Sequence, residues 1–130
     1  MEKEAVNAYS PLVLAYLGDA VFELEIRARL VEKSNSRPNI LNRKASALVC
    51  ASSQSDMAEK ILPLLTEEEV SILRRGRNAN SPTMAKNQSV ADYRRATGFE
   101  ALIGYLYLSG QKERMKELIA AAVEGRSELL

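Results

Sequence analysis

The chain has 130 residues, of which 46% are apolar and 27% charged, and a formal net charge of +1. This length predicts a single domain over residues 1–130, large enough to bury a core without cross-links. The sequence contains no histidine, which excludes Ser-His-Asp and Cys-His nucleophile systems and histidine-ligated zinc or iron.

Caps and breaks divide the chain into about six predicted helices. The first begins at the cap Ser10-Pro11 and runs to about Lys33. The second begins near Pro38 and continues through Ala51. Residues 52–54 predict a kink or a new cap, and a third helix then extends to about Ile61.

Stronger caps mark the second half of the chain. Thr66 and Glu69 form a capping-box pattern at the start of a fourth helix that reaches about Arg77. Residues 78–88 are polar and read as a loop, and Ser89 caps a fifth helix that ends at Ser109. A final amphipathic helix covers residues 112–124, and no strand pattern appears, so the predicted fold class is all-α.

Targeting features are absent from the sequence pattern. The first seven residues are charged, and no run of about 18 apolar residues suggests a membrane span. The lone Cys50 cannot form an internal disulfide, and we interpret it as a core thiol. We therefore expect a cytoplasmic protein that does not associate with a membrane.

Two of the predicted helices contain a stretch, residues 11–22 and residues 99–108, that is apolar on all sides except for one acid and one glycine. The first helix carries Gly18 and Asp19, and the fifth carries Glu100 and Gly104. A helix that is apolar all round is expected to be buried, and a glycine inside it permits close approach of another helix. The pattern predicts that these helices cross and bring the two carboxylates together.

Several roles remain open for such a pair. A hard cation between the carboxylates, Mg²⁺ or Mn²⁺, would relieve the cost of burying both charges. Alternatively, Asp19 could pair with Arg43 or Arg95, Glu100 could cap a neighbouring backbone, or the two acids could share one proton.

Positive charge is concentrated in the centre of the chain. Six of the 18 basic residues but only one of the 17 acidic residues lie between positions 74 and 95. Interspersed asparagine, serine and threonine side chains suit phosphate and sugar contacts, although basic residues also stabilise a helix C-terminus. The basic residues that could contact a nucleic acid are Arg74, Arg75, Arg77, Lys86, Arg94 and Arg95.

Two motifs in order resemble the ribonuclease III catalytic domain. Residues 15–21 (AYLGDAV) resemble its signature, and residues 99–104 (FEALIG) resemble its second acidic motif. Residues 73–79 (LRRGRNA), followed by Tyr93-Arg94, narrow the resemblance to Mini-ribonuclease III, the dimeric bacterial form without a separate double-stranded-RNA-binding domain. The resemblance extends from about Asn7 to Ala122.

This resemblance implies a helical bundle of the ribonuclease III type and an endoribonuclease acting on double-stranded RNA. Asp19 and Glu100 are the implied catalytic residues and Mg²⁺ ligands, with Mn²⁺ as a possible substitute. The implied reaction is hydrolysis by metal-activated water that leaves 5′-phosphate and 3′-hydroxyl ends. The implied substrate is precursor 23S ribosomal RNA, and the implied assembly is a homodimer.

The chain departs from the family pattern at two carboxylate positions. Ala15 stands where the ordinary family has a glutamate, and Thr97 stands where it has an aspartate. Water, RNA phosphates or Glu23 could fill the vacated coordination positions, and the departure leaves the number of metal ions open. Two other functions stay in view: a binding module for double-stranded RNA that has lost catalysis, and a helical protein–protein adaptor.

Overall fold

The computed structural model describes residues 1–79 and 89–130. These residues form seven α-helices: α1 (Lys3–Asn7), α2 (Pro11–Lys33), α3 (Pro38–Val49), α4 (Ala51–Ile61), α5 (Glu67–Asn78), α6 (Val90–Leu108) and α7 (Lys112–Val123). Short 3-10 helices cover Leu62–Leu64 and Ser127–Leu129. No strand occurs in these two ranges, which confirms the all-α prediction.

Side-chain caps set the starts of three helices where the sequence predicted them. Ser10 accepts a hydrogen bond from the Leu12 amide, ahead of Pro11 in the first turn of α2. Thr66 and Glu69 form a complete capping box at α5. Ser89 accepts a hydrogen bond from the Asp92 amide at 3.0 Å and begins α6. These contacts satisfy amide groups that have no partner within the helix.

The structure differs from the prediction at one helix boundary and by one additional helix. The break between α3 and α4 lies at Cys50, in extended conformation, rather than at residues 52–54. Cys50 is exposed there, so its interpretation as a core thiol is wrong. The short helix α1 was not predicted, because five charged and small residues carry too little periodicity to indicate a helix; only Val6 of α1 is buried.

Helix α6 occupies the centre of the bundle, in contact with α2, α4, α5, α7 and α1. Every residue of α6 from Ala96 to Leu106 is buried except Glu100, as expected for a helix that is apolar all round. The rings of Phe22 and Phe99 meet edge to face, with centroids 5.0 Å apart, at the packing of α2 on α6.

Helix α2 is only partly buried, which corrects the expectation drawn from its apolar sequence. Its buried residues follow a helical period, whereas four large apolar residues on the opposite face are exposed: Val13, Tyr16, Leu24 and Val31. The central helix of a small bundle can be covered on all sides, but an outer helix such as α2 has only one face on the core. None of the described helices is both long enough and apolar enough to cross a bilayer.

Helix α7 joins the bundle through apolar packing and one buried ion pair. Its buried face contains Met115, Leu118, Ile119 and Ala122, as the sequence predicted. Arg114 of α7 bonds both carboxylate oxygens of Glu69 on α5, at 2.9 Å and 2.8 Å. This bidentate bond lowers the pKa of the Glu69 carboxyl and raises that of Arg114.

Candidate active site

Two glycines allow helices α2 and α6 to cross at backbone contact. A methyl group placed at Gly18 would lie 1.8 Å from the carbonyl oxygen of Glu100, and one placed at Gly104 would lie 2.0 Å from that of Leu14. Real side chains do not tolerate such distances, so only glycine fits both positions. The predicted close crossing is therefore confirmed.

The crossing places the carboxyl groups of Asp19 and Glu100 close to each other. Asp19 is exposed, whereas Glu100 is half-buried. Desolvation of Glu100 and its proximity to Asp19 raise the pKa of the Glu100 carboxyl to about 8. Without a cation, Glu100 therefore holds a proton at neutral pH.

No basic residue in the described ranges forms an ion pair with either carboxylate. Arg95, one of the suggested partners of Asp19, is instead 3.3 Å from Glu59 and 3.7 Å from Asp92. The pair at the crossing consequently lacks the internal neutralisation that purely structural acids usually have.

Helix α4 contributes a third polar side chain, Gln54, which the sequence reasoning missed. Gln54 is 1% exposed, and its amide acts on Glu100 in the direction opposite to burial, favouring the charged carboxylate. Its spacing from Met57, Ala58 and Ile61 was the available signal, since residues at these intervals share one face of a helix. That spacing places Gln54 on the core face.

The positions one turn before each carboxylate carry no acid. Ala15 is buried, and the buried Thr97 hydroxyl donates to the carbonyl oxygen of Tyr93 at 3.0 Å. Glu23, one turn after Asp19, borders the same shallow groove but pairs with Arg27 at 2.5 Å. Among the described residues no group of three or more acidic or cysteine side chains is arranged to hold a metal ion.

The basic residues of α5 and α6 gather on one surface. Arg77 and Arg95 border two adjoining grooves, one shared with Arg74 and the other with Arg94. Gly76 and Gly98 bring the two helices together, since a methyl group at Gly98 would lie 2.5 Å from the carbonyl oxygen of Leu73. These four arginines define the basic surface. Gly98, where its two helices meet, lies two residues before Glu100 on α6.

The candidate RNA-binding residues differ in the hydrogen bonds and ion pairs that their side chains form within the protein. Arg74, Arg77 and Arg94 are exposed. Arg75 donates to the carbonyl oxygen and side chain of Asn7 and to the carbonyl oxygen of Tyr9. Arg95 donates to the Ser55 hydroxyl at 3.2 Å in addition to its two acidic neighbours. Lys86 lies outside the described residues.

Comparison with known proteins gives consistent matches along nearly the whole chain. Residues 12–111 match the model of the ribonuclease III domain. Mini-ribonuclease 3 of Brevibacillus brevis is 46% identical over 98% of this chain and 100% of its own length. Mini-ribonuclease 3 of Enterococcus faecalis is 51% identical over 83% of each chain.

A solved structure is similar to the whole arrangement of helices. The crystal structure of a protein from Fusobacterium nucleatum superposes with a TM-score of 0.83 and 37% sequence identity. The superposition covers 91% of this chain and 94% of the other.

Proposed function

The chain belongs to the ribonuclease III family, within it to the Mini-ribonuclease 3 group, and we propose that it is a Mg²⁺-dependent endoribonuclease whose catalytic residues are Asp19 and Glu100. Members of that family are endoribonucleases that act on double-stranded RNA. The observation that carries the site assignment is the carboxylate pair, which is brought together by two glycines and paired with no described basic residue.

The residues at the crossing fit a hard divalent cation. Asp19 and Glu100 supply carboxylate oxygens, which suit Mg²⁺ and its substitute Mn²⁺, and the exposure of Asp19 leaves room for water and substrate oxygens. Because Ala15 and Thr97 supply no carboxylate, the proposed cation would need water molecules or RNA phosphates as further ligands. When bound, the metal activates a water molecule and neutralises charge on the phosphoryl group.

The protein's own contribution is to hold two carboxylates rigidly and to control their protons. Because burial and the neighbouring Asp19 raise the pKa of Glu100, binding of the proposed cation would require loss of the Glu100 proton. The backbone contact of α2 with α6 fixes the spacing of the two carboxylates, which are carried by helices rather than loops. The proposed products carry 5′-phosphate and 3′-hydroxyl ends.

The basic surface is the proposed site of RNA contact. The major groove of an A-form duplex is too deep and narrow for side chains to read, so recognition depends on shape, phosphates and 2′-hydroxyl groups. Arg74, Arg77 and Arg94 are exposed to solvent, where phosphates could reach them, and Arg75, Arg95 and Lys86 remain candidates for the same contact. The proposed substrate is a stem of precursor 23S ribosomal RNA in the cytoplasm.

A homodimer completes the proposal. The four exposed apolar residues of α2 form one stripe along the helix, and Leu24 of this stripe borders the groove that contains Asp19. Pairing of two such stripes around a two-fold axis would bury them and give one RNA duplex two sites, one for each strand.

The test is cleavage of a labelled RNA duplex by the purified protein with Mg²⁺ or with EDTA. We expect Mg²⁺-dependent cleavage by the wild type and its loss in Asp19→Asn and Glu100→Gln. Asp56→Asn and Glu113→Gln, which change exposed carboxylates elsewhere, should cleave normally. Circular dichroism checks that each variant is folded.

The other possible outcomes separate the alternatives. Cleavage that survives EDTA or either site substitution would contradict the metal–carboxylate mechanism. Binding of the duplex without cleavage by the wild type would indicate a binding module, for which the substitutions at Ala15 and Thr97 provide a reason. No binding even at low salt would favour a protein–protein adaptor.

A further inference from the structure

Gln54 is a polar side chain enclosed by the core. It lies on α4 with 1% of its surface exposed, and its neighbours on that face of the helix are Met57, Ala58 and Ile61. The apolar residues of α4 and α6 pack together at this interface. An amide at such a position costs desolvation energy that an apolar side chain of the same shape would not.

The amide nitrogen of Gln54 has no compensating bond in the metal-free protein. Nε2 is fully buried and makes no hydrogen bond of ordinary geometry with any described residue. Buried donors are nearly always paired, and one without a partner needs an explanation. The adjacent polar side chains of α4 have theirs: Ser53 donates to the carbonyl oxygen of Leu48 at 2.8 Å, and Ser55 accepts from Arg95 at 3.2 Å.

The Glu100 carboxyl is the acidic group near the Gln54 amide. The two side chains are close enough for the amide to favour the carboxylate, although no bond of ordinary geometry has formed. Contacts of catalytic groups are often long in the unliganded enzyme and tighten only when charge develops or a ligand binds.

We propose that Gln54 is a positioning residue for Glu100: the Nε2–H group of Gln54 would donate to the Glu100 carboxylate and hold its orientation when the proposed cation is bound. Glu100 lies between the Gln54 donor in the core and the proposed ligand Asp19 at the surface. Residues that do not touch a metal commonly orient its carboxylate ligands through hydrogen bonds of this kind. This inference rests on the proposed metal site.

The test measures Mn²⁺ binding by the protein alone, by isothermal titration calorimetry at constant pH, so that the readout does not depend on cleavage. Gln54→Met removes the donor and keeps the volume, and we expect Mn²⁺ affinity to fall about 10- to 100-fold. Ser53→Ala, which removes a buried hydrogen bond one residue away, should keep wild-type affinity. Glu100→Gln defines the affinity of a protein without the site.

Thermal unfolding in EDTA separates positioning from a structural role. Because Nε2 has no partner in the metal-free protein, Gln54→Met should be at least as stable as the wild type. Ser53→Ala should be less stable, because it loses a bond that exists. A Gln54→Met protein destabilised as much as Ser53→Ala, or one that fails to fold, would assign Gln54 to the core and overturn the inference.

Failure of the inference can be distinguished from failure of the proposed function. If the wild type binds Mn²⁺, Glu100→Gln does not, and Gln54→Met binds as the wild type does, the metal site stands and the role of Gln54 is refuted. If wild type and Glu100→Gln bind Mn²⁺ equally, the proposed site is refuted and the role of Gln54 with it.

Discussion

The surroundings of Glu100 disfavour the ionised form of its carboxyl group. Burial and the neighbouring Asp19 both raise its pKa, to about 8, while the Gln54 amide only partly offsets them. A proton or a cation must therefore accompany this carboxylate. Binding of the proposed cation at neutral pH would release a proton, so its affinity should increase with pH until Glu100 is ionised in the free protein.

The same shift makes the stability of the metal-free protein depend on pH. A carboxyl whose pKa is 4.5 unfolded and about 8 folded holds its proton more tightly in the folded state. Its contribution to stability is fully present below pH 4.5 and is lost as pH rises through about 8. In EDTA, the wild type should melt at a lower temperature at pH 8 than at pH 5.5, and Glu100→Gln should remove that part of the decline.

Glu69 supplies a contrast at lower pH. Arg114 lowers the pKa of the Glu69 carboxyl below 4.5, so the stability contributed by Glu69 is lost only as the pH falls below 4.5.

The prediction for Glu100 would be contradicted if Glu100→Gln showed the wild-type decline in melting temperature between pH 5.5 and 8. That result would show that Glu100 is already ionised in the free protein.

Exposed and engaged arginines of the basic segment should respond differently to substitution. Arg74 is exposed, so Arg74→Ala should weaken duplex binding, reduce the slope of log affinity against log salt by about one, and leave the melting temperature unchanged. Arg75 binds Asn7 and Tyr9, so Arg75→Ala should lower the melting temperature by freeing the N-terminal segment. Filter binding over a salt series and thermal unfolding check both effects; the reverse pattern would contradict the assignment.

The juxtaposition of Asp19 and Glu100 could be predicted from sequence, because each acid stands beside a glycine in an otherwise apolar helix. Gln54 was missed because residues 52–54 indicated a kink or a new cap, although its spacing from Met57, Ala58 and Ile61 places it on the core face of α4. Cys50 was misjudged for a related reason: an apolar local sequence does not reveal that a helix ends at that residue. Local composition indicates which side chains favour the core, but only packing decides which reach it.

At the scale of helices, the crossing of α2 and α6 depends on two missing methyl groups. Gly18→Ala places a carbon atom where the carbonyl oxygen of Glu100 lies, so the helices must separate. We expect a loss of about 3 kcal/mol in the free energy of unfolding, well above the gain of about 1 kcal/mol in helix propensity. Urea unfolding measures this loss, and separation of the carboxylates should also reduce cleavage.

A glycine without close neighbours provides the control. Nothing lies within 4 Å of a methyl group at Gly110, whose φ of 77° asparagine can also adopt. Gly110→Asn should therefore cost much less than Gly18→Ala. A Gly18→Ala protein with wild-type stability would mean that the helices do not pack at backbone contact.

The helices themselves follow from local chemistry to different degrees. Ser10, Thr66 and Ser89 cap their helices through hydrogen bonds within a few residues, so these starts could be predicted. The break at Cys50 has no such signal, because α3 and α4 meet there without a side-chain cap. Its position depends on how both helices pack, a long-range effect that a local pattern does not contain.

At the scale of the whole molecule, the stripe of exposed apolar residues on α2 is an apolar surface that the other described helices do not cover. Val13, Tyr16, Leu24 and Val31 are 53%, 84%, 67% and 58% exposed. Their spacing puts them on one face of a 23-residue helix, opposite the residues that meet α6. Contiguous exposed apolar surface of this kind usually marks an interface, and a two-fold axis lets the same stripe serve both partners.

Tyr16→Glu tests this interface directly. In the proposed dimer the substitution buries a charge without a partner, which costs about 3 kcal/mol and weakens association at least about a hundredfold. Sedimentation equilibrium should give the wild type twice the mass of the 14.4 kDa chain and Tyr16→Glu a mass close to one chain. Leu64→Glu changes a 53% exposed residue away from α2 and should remain dimeric. A monomeric wild type would refute the dimer, and a Tyr16→Glu dimer of unchanged affinity would place the interface elsewhere. A Tyr16→Glu monomer that still binds duplex RNA but cleaves it poorly would indicate that catalysis needs the second subunit.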